Sequence, residues 1–258
     1  MILAILQARM TSSRLPGKVL RPIVGKAMLA HQIKRIEPSA LIDKLVIATS
    51  TDGTDYPIEK LCRDLEIECF RGNLDNVLDR YYRAALKHKP EIVVRLTGDC
   101  PLADHRVIDG AIQFFLENDF DYASNSLEPT FPNGLDVEVF SFNALERAWK
   151  EAELPSEKEH VTPYIYNHRD KFKVGQYKQE TDMGDLRWTV DEPRDFEFVT
   201  RVYEELYEGK PEFSTDDILD LLRRKPELLQ INSGIIRNEG YLKSLMEDKA
   251  FRKDKKDA

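Results

Sequence analysis

Short apolar runs alternate with amphipathic stretches through the first half of the chain. Residues 2–6, 45–49 and 92–96 are nearly continuous apolar runs, a pattern typical of strands that are buried on both faces. Between these runs the apolar residues recur at helical spacing. Helices are therefore predicted at residues 28–36, 56–65, 73–87 and 106–116, and a short strand at 67–70.

This order of elements predicts an α/β fold. Strands that alternate with helices favour a mainly parallel sheet with right-handed crossovers and helices on both faces. Ligands of such sheets bind outside the carboxyl ends of the strands. The residues that directly follow each strand are therefore the first candidates for a functional site.

The pattern changes in the second half of the chain. Residues 134–140 alternate between polar and apolar, which is typical of a half-exposed antiparallel strand. Helices are predicted at 142–153, 157–168, 194–207 and 215–224, and strands at 172–177 and 186–190. We interpret residues 132–183 as a smaller inserted α+β lobe that leaves the main sheet, within a single domain of residues 1–245. Residues 246–258 read as a charged, disordered tail.

Composition narrows the class of protein. With 258 residues, of which 41% are hydrophobic and 33% charged, the chain can bury the core of one large domain. No apolar run approaches a membrane span, the start lacks the features of a signal peptide, and the three cysteines have no metal-ligand spacing. We therefore expect a cytoplasmic protein without a membrane partner. The net charge of −8 argues against a nucleic-acid partner.

The first strand leads into a loop that carries three cations. Arg9, Arg14 and Lys18 lie in this loop, and the Pro16-Gly17 pair disfavours a helix there. Guanidinium groups and backbone donors at the end of a buried strand suit a polyphosphate. The alternative is an ordinary solvated loop. The chain contains neither a Walker motif nor a Gly-x-Gly-x-x-Gly motif.

Two aspartates directly follow predicted strands. Asp99 comes after the strand at 92–96, and Asp191 comes after the strand predicted at 186–190. Each precedes a predicted helix with a proline near its start, so each alone is equally well explained as a helix cap. Together they share one sheet edge with the cationic loop. Because Mg²⁺ takes one or two carboxylates plus phosphate oxygens, metal coordination is the better joint interpretation.

The other polar candidates have weaker support from the sequence. The segment from Arg71 to Arg80 enters a predicted helix and reads as a loop with a helix cap, or as a surface that faces a nucleotide. The middle of the chain offers candidate acceptor-binding residues, whose plain alternative is a solvent-facing or structural role. These residues are Asn125, Asp136, Glu138 and His160.

Five ordered motifs carry a resemblance to a known family. They are Gln-Ala-Arg-Met-Thr-Ser-Ser-Arg-Leu-Pro-Gly-Lys at 7–18, Leu-Thr-Gly-Asp-Cys-Pro at 96–101, Gly-Leu-Asp-Val-Glu-Val-Phe at 134–140, Glu-His-Val-Thr-Pro-Tyr-Ile-Tyr at 159–166 and Arg-Trp-Thr-Val-Asp at 187–191. Together they resemble the cytidylyltransferases, a family that includes the CMP-sialic acid and CMP-KDO synthetases. Within it, the spore-coat polysaccharide branch is the most similar.

The resemblance implies a Rossmann-like sheet and a defined reaction. CMP would pass from CTP to a sugar or sugar acid with release of pyrophosphate, for cell-surface or spore-coat polysaccharide synthesis. The resemblance also implies Mg²⁺ and a homodimer formed through the inserted lobe.

The resemblance also assigns roles by position. Ala8, Arg9, Arg14 and Lys18 match the loop that holds the base and triphosphate, and Asp99 and Asp191 match the metal-binding carboxylates. Arg71, Gly72 and Arg80 match a segment near the nucleotide. The catalytic set is then Arg9, Lys18, Asp99 and Asp191. Two positions depart from the synthetases: Gln7 replaces a proline, and Thr97 replaces a glutamine of the nucleotide pocket.

Two other functions fit parts of the pattern. A metal-dependent glycosyltransferase that uses a nucleotide-sugar shares this fold type, but its Asp-x-Asp motif would need an acidic residue where Pro101 stands. A non-catalytic nucleotide-binding protein would need only the binding loop.

Overall fold

The computed structural model describes residues 1–235, 237 and 239–257. In chain order the strands are β1 (Ile2–Gln7), β2 (Pro22–Ile23), β3 (Lys26–Ala27), β4 (Lys44–Ser50), β5 (Glu68–Gly72), β6 (Ile92–Thr97), β7 (Tyr122–Ser124), β8 (Glu138–Ser141) and β9 (Val174–Gln176). Strands β2 and β3 pair with each other, and the others form one seven-stranded sheet in the order β5-β4-β1-β6-β8-β7-β9.

This sheet is mostly parallel, as the alternation of elements predicts. Strands β5, β4, β1 and β6 run in the same direction, and Gln7 at the end of β1 lies opposite Ala48 of β4 and Thr97 of β6. The carboxyl ends of these strands therefore meet at one edge. Strand β8 then pairs with β6 in the antiparallel sense.

Helices cover both faces of the sheet. They are α1 (Met28–Ile36), α2 (Tyr56–Asp64), α3 (Val77–His88), α4 (His105–Leu116), α5 (Phe142–Glu151), α6 (Pro155–His160), α7 (Pro163–Asn167), α8 (Pro193–Leu206), α9 (Thr215–Arg224) and α10 (Glu239–Asp257). Strand β1 shows why both faces need a cover: Ala4 and Leu6 pack into one core, and Leu3 and Ile5 pack into the other. The predicted α/β class is confirmed.

The middle segment differs from the prediction of a lobe that leaves the main sheet. Strands β7, β8 and β9 extend the main sheet. The alternation at 134–140 becomes a strand only from Glu138, and the helix predicted at 157–168 divides into α6 and α7. Val161 separates these two helices with φ of 73°, a backbone conformation that is costly for a β-branched residue.

Two further predictions, for residues 186–190 and for the last residues of the chain, are wrong. Residues 186–190 form no strand, and only an isolated bridge joins Arg187 to Asn133. Residues 246–258 are predicted to be a disordered tail, but residues 246–257 belong to α10, and Ala258 lies outside the described residues. Among the described residues, the structure has no helix long and apolar enough to cross a membrane.

The segment that replaces the predicted strand is held by backbone contacts with a glycine turn. The carbonyl oxygen of Asn133 accepts hydrogen bonds from Trp188 N (2.6 Å) and Thr189 N (2.9 Å). Gly134 has φ of 115°, and a Cβ there would lie 2.5 Å from the backbone nitrogen of Thr189. A side chain at this position would therefore be both strained and in collision with backbone.

We expect Gly134→Ala to destabilise the protein by about 2–4 kcal/mol, because strain and backbone collision add. Gly209→Ala is the matched control, since a Cβ there meets nothing within 4 Å. It should change stability by less than about 0.5 kcal/mol. Urea unfolding of both variants measures the difference, and equal stabilities would contradict the assigned constraint.

Candidate active site

The loop after β1 is closed by its own backbone. The amide of Gly17 donates to the carbonyl of Met10 (2.9 Å), and Gly17 adopts φ of 70°, which its lack of a side chain permits. The amide of Met10 donates to the buried Asp55 carboxylate (2.6 Å). The loop is thereby fixed at the carboxyl edge of the sheet, and Lys18 begins the turn that follows it.

Lys18 joins the two aspartates that the sequence singled out. Its Nζ lies 3.1 Å from Asp191 Oδ1, 3.5 Å from Asp99 Oδ2 and 2.6 Å from the carbonyl oxygen of Val190. Only 7% of the residue is exposed. An ammonium group has three protons, so these three oxygens account for all of them. The predicted convergence of Lys18, Asp99 and Asp191 is therefore present, with Lys18 directed at the carboxylates.

Electrostatics keep this cluster charged. Burial disfavours the Lys18 ammonium, but Asp99 and Asp191 outweigh that effect and raise its pKa. Burial also disfavours the Asp99 carboxylate, but Lys18 and the Thr97 hydroxyl hold the pKa of Asp99 below its ordinary value. Lys18 and Asp99 are therefore both ionised at neutral pH.

A second ion pair fixes the position of Asp191. Arg187 donates from Nε and Nη2 to the two oxygens of Asp195, each at 2.8 Å, and from Nη2 to Asp191 Oδ2 at 3.2 Å. Asp195 is fully buried and also accepts the backbone amides of Asp191 and Glu192. One oxygen of Asp191 is thus turned toward Arg187, and the other toward Lys18.

The donor set fits a magnesium ion that shares its coordination with a substrate. Mg²⁺ in nucleotide-using sites takes one or two carboxylates and completes its shell with water and phosphate oxygens. Asp99 and Asp191 converge on one Nζ and supply such oxygens. Within residues 1–235, 237 and 239–257, no group of three or more His, Cys, Asp or Glu side chains could hold a metal without other ligands.

An open cleft of about 1480 Å³ lies over this cluster. Pockets for drug-sized ligands have volumes of about 300–1,000 Å³, so this cleft has room for a nucleotide and a second substrate. Arg9, Arg14 and Arg80 line it, together with Ala8, Gln7 and Thr97. Arg14 contacts Asp191 (3.3 Å) and Glu239 (2.5 Å), and Arg9 lies 3.9 Å from Glu159.

The segment at residues 71–80 divides into two environments. The guanidinium of Arg71 donates to the carbonyls of Ser50 and Asp52 and to the carboxylate of Glu59, each at 2.9 Å. Among the described residues that line the cleft, neither Arg71 nor Gly72 appears, whereas Arg80 does. Gly72 packs on Arg80, since a Cβ would lie 3.0 Å from its Cγ. Arg80 is 1% exposed and its Nε has no partner among the described residues.

Two of the candidate acceptor-binding residues have structural partners instead. Asn125 is fully buried, with Nδ2 donating to the carbonyl of Leu135 and Oδ1 accepting the amide of Val137, each at 2.8 Å. Glu138 pairs with Arg95 and accepts the hydroxyls of Tyr122 (2.6 Å) and Thr162 (2.5 Å). These contacts consume the side chain of Asn125 and both oxygens of Glu138.

The other two candidates lie in the cleft beside the end of the chain. Asp136 Oδ1 accepts from Arg237 (2.7 Å), and burial raises the pKa of Asp136 above its ordinary value. His160 contacts Ser244 Oγ through Nε2 (2.9 Å), and burial lowers the pKa of His160. No motif or spacing in the sequence predicts Arg237 or Ser244 at this position.

Other residues of the site also escaped sequence reasoning. Arg95 interrupts an apolar strand, a pattern that could have indicated a buried charge. The pair Arg187 and Asp195 has a spacing of eight residues, which carries no signal without the fold. The cleft-lining residues of α10 follow no strand and belong to no motif.

Comparison with known proteins gives a consistent family. The sequence profile described as cytidylyltransferase matches residues 3–214. The spore coat polysaccharide biosynthesis protein SpsF of Bacillus subtilis is 36% identical over 236 residues, which cover 88% of this chain and 95% of that protein.

Solved structures agree with this match. A cytidylyltransferase from Leptospira borgpetersenii superimposes with a TM-score of 0.85 and 32% identity, over 92% of this chain and 99% of that one. A CMP:2-keto-3-deoxy-manno-octonic acid synthetase solved with CTP has a TM-score of 0.63 and 19% identity, over 79% of this chain and 98% of that one. The second likeness shows the shared fold alone.

The contacts of Arg71 lead to a prediction that separates stability from binding. We expect Arg71→Ala to destabilise the protein by about 1–3 kcal/mol, because two backbone carbonyls and Glu59 lose their donor. The affinity for CTP should stay within about twofold, since Arg71 lies outside the cleft. Thermal unfolding and calorimetric titration with CTP and Mg²⁺ measure the two effects. A large loss of affinity for CTP in a folded variant would show that Arg71 does contribute to nucleotide binding.

Proposed function

Because the chain belongs to the cytidylyltransferase family and is a nucleotidyltransferase, we propose that it transfers CMP from CTP to a hydroxyl of a sugar or sugar acid. The observation that carries this proposal is the junction of Lys18 with Asp99 and Asp191 at the edge of the cationic loop. This junction places candidate metal ligands beside candidate phosphate ligands. The cleft above it has room for both substrates.

The reaction forms one bond and breaks another at the α-phosphorus of CTP. The acceptor hydroxyl oxygen attacks that phosphorus, loses its proton to solvent or a nearby base, and the bond to the bridging oxygen of pyrophosphate breaks. Such a transfer depends mainly on alignment and on neutralisation of charge. The chain's own contribution is therefore to bind, orient and neutralise.

The cations of the loop suit the leaving pyrophosphate. Arg9 and Arg14 keep about a third or more of their side-chain surface exposed in the cleft, at 43% and 32%, so both can reach a bound triphosphate. The planar guanidinium fork matches two phosphate oxygens at once. Arg80, with its buried Nε, adds positive charge to the same cleft.

Asp99 and Asp191 would hold Mg²⁺ in this proposal. When bound, the ion would polarise the α-phosphate and lower the pKa of the attacking hydroxyl. Lys18 balances the charge of the two carboxylates. Arg187 binds one oxygen of Asp191, which leaves the other oxygen directed toward Lys18. The neighbour solved with CTP and the relative named for polysaccharide synthesis support the choice of nucleotide and of a sugar acceptor.

The test is release of pyrophosphate, assayed as phosphate after inorganic pyrophosphatase is added. Each of the four NTPs is combined with a panel of sugar acids that includes 3-deoxy-manno-octulosonate and a sialic acid. We expect release only when CTP and an acceptor are both present. Consumption of a nucleotide-sugar would indicate a glycosyltransferase, and binding of CTP without turnover would indicate a non-catalytic protein.

Asp99→Asn tests the proposed metal ligand. We expect turnover to fall by several orders of magnitude, because the amide is a poorer ligand and leaves Lys18 with one carboxylate. Circular dichroism and thermal unfolding should show that the fold is intact. Asp64→Asn, on the exposed surface of α2, is the control and should keep full activity. Near-normal turnover of Asp99→Asn would contradict the proposal that Asp99 is a metal ligand.

Glu239→Gln tests whether Arg14 is available to the triphosphate. In the structure Glu239 holds the Arg14 guanidinium, so a nucleotide must compete with this carboxylate. We expect the variant to bind CTP about two- to fivefold more tightly, the usual range for loss of an exposed ion pair. Glu208→Gln, at an exposed position outside the cleft, is the control. Weaker binding by Glu239→Gln would mean that Glu239 orients Arg14 for the nucleotide.

A further inference from the structure

Helix α10 lies outside the part of the chain that the family profile matches. The profile ends at residue 214, and the synthetase structure of the same fold is covered over 98% of its own length while it accounts for only 79% of this chain. About a fifth of this chain therefore has no counterpart in that synthetase. The family profile does not account for α10, which leaves this helix free to serve a narrower purpose.

The helix packs on the molecule through its polar side. Ser244 and Asp248 are 2% and 6% exposed, whereas Leu242 and Met246 are 50% and 70% exposed. Asp248 accepts the amide (3.0 Å) and the hydroxyl (2.6 Å) of Ser156 at the start of α6. Burial of apolar surface does not account for this orientation. Specific polar contacts hold α10 against the cleft.

The inward side of α10 completes a cluster of hydroxyl, imidazole and carboxylate groups. Ser244 Oγ lies 2.7 Å from Glu159 Oε2 and 2.9 Å from His160 Nε2. The Tyr241 ring meets the His160 ring edge-on at 5.2 Å, and Tyr166 is the fifth side chain of the cluster. All five side chains line the cleft. Hydroxyl and imidazole groups can each donate or accept, so the cluster can pair with a polyhydroxylated ligand in several registers.

The position of α10 relates this cluster to the reacting groups. Its first residue, Glu239, contacts Arg14 of the cationic loop, and Ser244 follows a little more than one helical turn later. Arg9, in the same loop, reaches Glu159 of the cluster at 3.9 Å. The cluster is therefore adjacent to the proposed phosphate site.

We propose that Tyr241 and Ser244 of α10 bind the hydroxyl groups of the sugar acceptor, so that the segment beyond the family core selects the acceptor. This inference rests on the proposed function and gives its second substrate a site. Asp136, Glu138, His160 and Arg237 line the same cleft, whereas Asn125 is not among the described residues that line it.

The test uses Tyr241→Phe and Ser244→Ala, assayed with CTP and the sugar acid that the parent protein turns over best. Loss of one hydrogen bond to a substrate hydroxyl should raise the KM for the acceptor by about tenfold. The KM for CTP should change by less than about twofold. Preference among the panel of sugar acids should also shift, because a site that pairs with a hydroxyl discriminates strongly against analogues that lack it.

Tyr56→Phe is the matched control, since Tyr56 is 52% exposed at the start of α2. It should leave both KM values unchanged. Tyr241→Phe keeps the ring on His160, so it tests the hydroxyl even if Ser244→Ala proves unstable. An unchanged acceptor KM in Tyr241→Phe, or an equal rise in the KM for CTP, would overturn the proposal while the parent still transfers CMP. A parent protein that releases no pyrophosphate with any acceptor would instead overturn the proposed function, and this inference with it.

Discussion

The site depends on one buried cation. Lys18 comes from the loop after β1, Asp99 follows β6, and Asp191 precedes α8, so the ammonium joins three distant parts of the chain. Two carboxylates at such close range would repel each other, and a buried ammonium without a partner would be costly. Each charge is tolerated because the others are present. The same contacts that stabilise the edge of the sheet thus place the candidate metal ligands side by side.

The cleft satisfies its own charges when no substrate is bound. Arg14 pairs with Asp191 and Glu239, Arg9 faces Glu159, and Arg237 pairs with Asp136. A triphosphate that enters must exchange these contacts for its own, so only the difference between the two sets contributes to affinity. This exchange offers discrimination, because an anion of the wrong shape loses the internal pairs without replacing them.

Elements and site residues are correctly predicted from the sequence where the pattern that indicates them is local. The helix at Met28–Ile36 and the strands β1, β4 and β6 follow from apolar periodicity, and Asp99 and Lys18 follow from their places after strands. The failures are non-local. Residues 186–190 look like a strand, but the amides of Trp188 and Thr189 both pair with the carbonyl of Asn133, which a pattern of side chains does not reveal. Val161 divides a helix that its neighbours favour, because its backbone adopts a φ of 73°, which apolar spacing does not predict.

The proposed nucleotide side and acceptor side of the cleft also differ in how far the sequence predicts them. The nucleotide side is built by the ends of β1 and β6, where register alone brings residues together, and it can be found from motifs. The proposed acceptor side is built by α6 and α10, which are separated by more than 70 residues and are not brought together by strand pairing. If the fold conserves a reaction through its sheet edge, a new acceptor requires change only in the helices above that edge. Such helices carry few constraints from the core, as the exposed apolar residues of α10 show. The chemistry of the reaction and the choice of its acceptor are thereby assigned to separate parts of the chain.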